Sequence, residues 1–276
     1  MLEFSCHTWA FNDLTLPEAL GTIARMGFRY VDIGSGTNFN AVRAAERPQA
    51  VANEIRDDLA TFNLKLDDLY LMLPRISIDA EDKRQADIHL FKALMPFAKA
   101  LGTPGITLSP GLAHPADDAE AQDRTVAALR EMVKMGKDSG LRVSIEPHLD
   151  SMAPSPEAAL RLVKDVPGLE ITLDWAHMIC QGARDKDVQA LLPHVRHVQV
   201  RQAARRKLQT PFQKGSLNVT EVLSALNAAN YQGIICVEYM KTVGWHGMVA
   251  VDSIYESALL RNALRDARDR EGMNNA

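Results

Sequence analysis

Glu146, Asp174, Gln199 and Glu238 each sit in a short run where apolar side chains alternate with other residues. The runs read RVSIEPH (142–148), EITLDWAH (170–177), HVQVRQ (197–202) and GIICVEYM (233–240). Strict alternation is the period of a β-strand, whose successive side chains point to opposite faces. Val143 and Ile145 share one face, so Ser144, Glu146 and His148 share the other. Ile171, Leu173 and Trp175 oppose Thr172 and Asp174; Val198 and Val200 oppose His197, Gln199 and Arg201; Ile235 and Val237 oppose Cys236 and Glu238. Each polar face therefore offers an oxygen donor at matched depth, and three of the four donors are carboxylates. Two like charges about 4 Å apart repel by roughly 4 kcal/mol at an effective dielectric of 20, so a site that gathers three needs a positive partner. A divalent cation meets that need with one atom. Four oxygen donors suit a hard ion, Mn2+ or Mg2+, better than zinc. The competing reading is an ion-pair cluster in which Arg201, Arg205 or His148 neutralises the acids without a metal.

These runs belong to a regular pattern. Four more strand candidates precede them, at 2–8, 30–36, 66–73 and 105–111. Amphipathic helical stretches lie between. LPEALGTIARMG (16–27) puts Leu16, Ala19, Leu20 and Ile23 on one stripe, with Pro17 in the first turn. SPEAALRLV (155–163) opens with Ser155 as an N-cap, and VTEVLSALNAAN (219–230) has the same spacing. Eight strand–helix units in 276 residues predict an α/β fold, a single (β/α)8 barrel over 1–270, with a frayed polar tail at 271–276. A doubly wound sheet is the rival, but it has fewer strands and a Gly-rich phosphate loop. GSGTNF (34–39) lacks the third glycine of that loop, and no P-loop, H-E-x-x-H or G-x-S-x-G is present. In a barrel the apolar faces meet the helices and the polar faces meet in the lumen. The four donors then converge at the C-terminal mouth, where barrel active sites are built.

The bulk composition narrows the setting. A net charge of −4 gives no positive surface for nucleic acid, and the one basic cluster, Arg205–Arg206–Lys207, is short. No twenty-residue apolar stretch predicts a membrane span, and the N-terminus has no signal-peptide pattern. The cysteines Cys6, Cys180 and Cys236 are odd in number and far apart, which predicts reduced, buried thiols and a cytoplasmic protein.

VSIEPH, TLDWAH, HVQVRQA and GIICVEYM resemble segments of the xylose-isomerase-like TIM-barrel superfamily. That group includes sugar-phosphate isomerases and epimerases, ketose 3-epimerases, hydroxypyruvate isomerases and the endonuclease IV group. The resemblance implies that Glu146, Asp174 and Glu238 are metal ligands and that His177 is the accessory histidine after the Asp. It departs at Gln199, where the usual H-x-H pattern carries a ligand histidine. Three options follow: Gln199 gives a neutral oxygen ligand, a two-residue shift brings in His197, or the site has decayed. The unshifted register is favoured, because RQAARRKLQ is similar to a branch containing sugar isomerases and C-glycoside deglycosidase catalytic subunits, which cleave a C–C bond in 3-keto sugars.

The resemblance implies a divalent-metal-dependent isomerase or epimerase of a sugar or keto-sugar. Glu146 and Glu238 would exchange the proton beside a carbonyl through a metal-stabilised enediolate. His148, His177 and Arg205 are candidates for holding substrate hydroxyls, with Arg201 beside them. His7 and Trp9 would line the mouth, and Trp9, Trp245 and His246 offer flat surfaces to a sugar ring or aromatic aglycone. Two alternatives stand. A lyase, such as a dehydratase or 3-keto-C-glycoside deglycosidase, would use the same enolate. A non-catalytic companion subunit would carry a degenerate metal site. The expected partner is a small carbohydrate or keto-glycoside, and the expected assembly a homo-oligomer or a complex with a companion subunit.

Overall fold

The structure, a computed structural model, describes residues 2–272. Eight parallel strands close into one barrel in sequence order. They are β1 (Phe4–His7), β2 (Tyr30–Gly34), β3 (Lys65–Leu71), β4 (Gly105–Leu108), β5 (Arg142–Ile145), β6 (Glu170–Asp174), β7 (Val195–Val200) and β8 (Ile235–Val237). The helices around them are α1 (Leu16–Arg25), α2 (Ala41–Glu46), α3 (Pro48–Thr61), α4 (Glu81–Leu101) and α5 (Ala119–Asp138), then α6 (Pro156–Asp165), α7 (Trp175–Gln181), α8 (Asp185–Gln189), α9 (Val219–Ala228) and α10 (Ser253–Arg270). This is the single (β/α)8 barrel that the alternation predicts. Of the expected polar tail, residues 273–276 lie outside the described residues. No helix among the described residues is long and apolar enough to cross a membrane.

Local chemistry sets the helix starts. Ser155 accepts from the Ala158 amide and Pro156 opens α6, while Asn218 accepts from the Glu221 amide at the start of α9. Glu18 reaches back to the Thr15 amide at 2.9 Å, filling a donor that the first turn of α1 leaves open. The apolar strand faces pack outward: Val143, Ile145, Leu173, Val198, Val200, Ile235 and Val237 join one core with the helix layer.

The lumen beneath the mouth is polar, and two register shifts make it so. Between β6 and β7, Ile171 pairs Val195 but Thr172 pairs His197, so Arg196 is an extra residue. Between β2 and β3, Val31 pairs Leu66 but Asp32 pairs Asp68, so Asp67 is extra. An extra residue lets two consecutive side chains reach the same side. Arg196 therefore enters the lumen beside His197 and bonds Asp68 and Ser144, each at 2.7 Å. His197 meets Asp32 at 2.7 Å, and Ser5 donates to the same aspartate at 2.8 Å. Thr107 and Ser144 each meet Thr172 at 2.7 Å. Gly105 makes room for this layer, because a Cβ there would lie 2.4 Å from an Arg196 guanidinium nitrogen.

Candidate active site at the barrel mouth

One layer above, the ends of β5, β6, β7 and β8 bring the predicted donors together. Glu146 and Glu238 each lie one residue past a paired strand, and a last ladder bond holds each backbone. The Glu146 amide donates to the Leu108 carbonyl at 2.9 Å and that of Glu238 to Val200 at 3.0 Å. Asp174 pairs Gln199 in register, and Gln199 pairs Cys236. The run predicted as strand to residue 177 turns at Asp174, whose Oδ1 accepts from the Ala176 amide at 2.7 Å and caps α7. That cap splits the carboxylate between two tasks: Oδ1 starts the helix and Oδ2 faces the lumen. It also swings His177, on the first turn of α7, over the site.

All these groups are out of water: Asp174 and Gln199 are fully buried, and Glu146 is only 5% exposed. Tyr70, at the end of β3, donates to Glu146 Oε2 at 2.5 Å. An Asp174 oxygen and a Glu146 oxygen approach within 4.8 Å. Arg201 stands between Asp174 Oδ2, 3.0 Å away, and Glu238, whose Oε2 it clasps closely. Burial pushes Glu146 up to about 7, helped by the charge of Asp174 and opposed by the Tyr70 hydroxyl. Burial also raises Asp174 and Glu238, against the pull of Arg201 on both.

His177 stays neutral, since burial and Arg201 both disfavour its cation. The Leu149 amide donates to its Nδ1 at 3.2 Å, so the ring proton sits on Nε2. Nε2 lies 3.7 Å from Glu146 and 3.6 Å from Asp174. Arg201 Nη2 is 3.5 Å from the same nitrogen, so His177 stands over the site with Nε2 facing the acids and the guanidinium. The deeper grouping of Asp32, His197 and Cys236 is built around an ion pair, with His197 Nε2 2.7 Å from Asp32. Burial opposes the His197 cation, but Asp32 outweighs it and lifts that ring to about 9. His197 is thus the charged partner of Asp32 and takes no part at the mouth.

The donor set fits a divalent cation. Three buried carboxylates face one arginine, leaving two negative charges unmatched if all three are ionised. Glu146 and Asp174 alone repel by about 3 to 4 kcal/mol at their separation. Both polar atoms of the Gln199 side chain lack a hydrogen-bond partner, and Asp174 Oδ2 has only a share of the Arg201 guanidinium, 3.0 Å away. A buried amide left idle is costly unless something else uses it.

Above these groups opens a cavity of about 230 Å³, lined by Trp9, Tyr70, Met72, Glu146, His148, His177, Arg201, Glu238, Met240 and Trp245. His148 Nδ1 is 2.5 Å from the Leu149 carbonyl, and its Nε2 is 3.0 Å from the Ser109 hydroxyl. Trp245 turns an edge to the His177 ring, with centroids 5.8 Å apart. Asp150 accepts from Trp245 at 3.0 Å and meets His246 Nε2 at 2.7 Å, tying the loops after β5 and β8 across the mouth. His7 lies below this cavity rather than on its wall. It is fully buried, its Nδ1 accepts from the Trp9 amide at 3.1 Å, and its Nε2 has no partner. Gly34 lets it pack there, since a Cβ would lie 2.5 Å from its ring. Arg205 is not brought to the mouth: it is exposed, with its guanidinium against Gly182 at the end of α7. A larger hollow, about 470 Å³, lies outside the barrel between α7, α8 and α9, and none of the mouth residues reaches it.

A sequence profile of the xylose isomerase-like TIM barrel matches residues 20–258. No curated protein shows significant similarity to the chain. Among solved structures, D-psicose 3-epimerase, crystallised in the presence of D-fructose, superposes with a TM-score of 0.76 at 19% identity, over 97% of this chain and 99% of that one. The 3-keto-D-glucoside 4-epimerase from E. coli gives 0.74 at 17% identity, over 98% and 100%. The probable 3-DHS dehydratase of petrobactin synthesis from Bacillus anthracis gives 0.75 at 18%, over 96% and 99%. At such identities the likeness speaks to the fold.

Proposed function

The chain belongs to the xylose isomerase-like TIM-barrel family, and we propose that it is a divalent-metal-dependent isomerase or epimerase acting on a sugar or keto-sugar. The observation that carries this reading is the charge deficit at the mouth: Glu146, Asp174 and Glu238 are buried around a single guanidinium, with Gln199 idle beside them. Glu146, Asp174, Gln199 and Glu238 would hold the ion. When bound, a divalent cation polarises a substrate carbonyl and offsets the negative charge that develops as the neighbouring proton leaves.

The chain's own groups divide the remaining work. Glu146, held near 7, is partly ionised at neutral pH and can accept a proton. Tyr70 holds its Oε2, which fixes the carboxylate and leaves Oε1 facing the site. Glu238 enters the mouth from β8, three strands beyond the β5 that carries Glu146, so it can hand a proton to a different face of the same carbon. His177 lines the cavity and its Nε2 can meet a substrate hydroxyl. Trp9, Tyr70 and Trp245 exclude water from the reacting carbon. The structural relatives named above include epimerases of ketoses and of a 3-keto-glucoside, which fits a proton moved beside a carbonyl.

A lyase is the second reading, favoured by the apolar rim. Met72, 42% exposed, and Trp245, 36% exposed, line the opening together with Trp9 and Met240. A keto-glycoside with an apolar aglycone would cover them, and the same proton abstraction would expel that group. The test is solvent exchange. Ketoses and 3-keto-glycosides are incubated with the protein and Mn2+ in D2O, and proton NMR follows the signal beside the carbonyl. Deuterium incorporation that disappears in Glu146→Gln is expected, and a new aglycone signal would assign the lyase. A metal-free protein with no exchange, or an exchange rate that Glu146→Gln leaves unchanged, would sink the proposal in favour of a non-catalytic companion subunit.

A further inference from the structure

We propose that Arg201 is a resident counter-cation: its guanidinium holds Asp174 and Glu238 in the metal-free protein, and a divalent ion gains Glu238 only by displacing it. The inference rests on the metal-dependent reading above and concerns what that reading leaves open, the fate of a permanent positive charge beside the ion. Every arm of the guanidinium is engaged. Nη1 bonds the Glu238 carboxylate and, at 3.2 Å, its carbonyl; Nη2 lies 3.0 Å from Asp174; Nε donates to the Leu208 carbonyl at 3.3 Å. The side chain is 1% exposed.

The four candidate ligands are in unequal states because of it. Glu146 and Asp174 present oxygens within 4.8 Å of each other, and the Gln199 amide is unpartnered. Glu238 is outside that grouping and turned to the arginine. Glu146 and Gln199 therefore wait, Asp174 shares the guanidinium through Nη2, and Glu238 is occupied by a cation of the wrong valence. An arginine cannot shed its charge by losing a proton, so it can relieve repulsion from an incoming dication only by moving. The cavity of about 230 Å³ that it lines gives it somewhere to go. The displaced guanidinium would then point at the substrate's oxygens, so that ion loading and substrate binding favour each other.

The test is manganese binding followed by isothermal titration calorimetry, with no substrate present, on wild type and Arg201→Met. The variant is expected to bind roughly tenfold more tightly or better. Wild type that binds manganese with a variant that binds no more tightly overturns the counter-cation while leaving the metal site standing. If neither binds, both readings fall. Should the variant not fold, paired crystal structures of wild type with and without manganese decide. Arg201 is expected to be out of hydrogen-bond reach of Glu238 in the loaded crystal and against it in the other. Glu238 still clasped by Arg201 with the ion in place would overturn the proposal.

Discussion

Raising the pH from 6.5 to 9 should take about half of the protons from His197 and weaken its buried ion pair with Asp32. The ring is fully buried, 2.7 Å from Asp32 and 3.5 Å from Asp67. Burial opposes its charge, yet Asp32 prevails and lifts the ring from 6.5 to about 9. A group that binds its proton more tightly when folded stabilises the fold fully below its unfolded value. That stabilisation is lost as pH rises through the folded value. A shift of this size corresponds to about 3 kcal/mol, or roughly 6–9 °C in Tm for a chain of this length. Glu146 and Asp67, both raised to about 7, chiefly by burial, add a slope of the same sign at lower pH. Between pH 7 and 9 the His197 step is read as the difference between wild type and a variant that lacks the ring. Thermal melts in EDTA across that window should fall steadily for wild type. His197→Gln should start lower, because Asp32 loses its partner, and then fall by clearly less. A wild-type midpoint that does not move, or a variant that keeps the full slope, would refute the assignment of that proton.

Two further outcomes follow from single contacts. Tyr70→Phe removes the 2.5 Å donor to Glu146, a bond to a carboxylate worth about 1.5–3 kcal/mol, so the acid limb of the pH–rate profile should move up by about one unit; an unmoved limb would leave Tyr70 a packing residue. Asp68→Asn strips Arg196 of its 2.7 Å carboxylate partner inside the lumen, and the urea midpoint should report a loss of about 3 kcal/mol, whereas an unchanged midpoint would mean the hydroxyls of Thr107 and Ser144 suffice.

Alternation alone placed the upper layer because the pleat is regular there. From Thr172 to Asp174 and from His197 to Gln199 the two strands run in step, so parity carries from the sequence to the lumen without error. Parity fails one layer down. Arg196 neighbours an inward residue and by alternation belongs outside, but the shift beside Ile171 brings it in. Asp67 enters the same way beside Asp68. A bulge is a property of two strands at once, so no single run of residues announces it. Strand ends were also overrun. The extended stretch RVSIEPH continues past Ile145, but Pro147 has no amide to give a ladder, and at Asp174 the side chain itself starts a helix. His7 and Arg205 are read from position near a strand end, whereas their side chains pack against Gly34 and Gly182, contacts that no single run of residues announces.

The two polar layers of one barrel then argue against each other usefully. In the lower layer Asp32, Asp67 and Asp68 meet Arg196 and His197, and hydroxyls from Ser5, Thr107 and Ser144 fill hydrogen bonds around them. That is how a lumen looks when its polar groups serve the fold alone. The upper layer uses the same kinds of residue and leaves them unfinished: Gln199 bonds nothing, and one guanidinium serves three acids. Replacing Gln199 with an apolar residue would cost the fold little by this account, since no protein contact is lost, whereas any ion held at the mouth would lose a ligand. A chain that can satisfy a buried layer completely, and does so a few ångströms below, keeps an unsatisfied one where something from outside completes it.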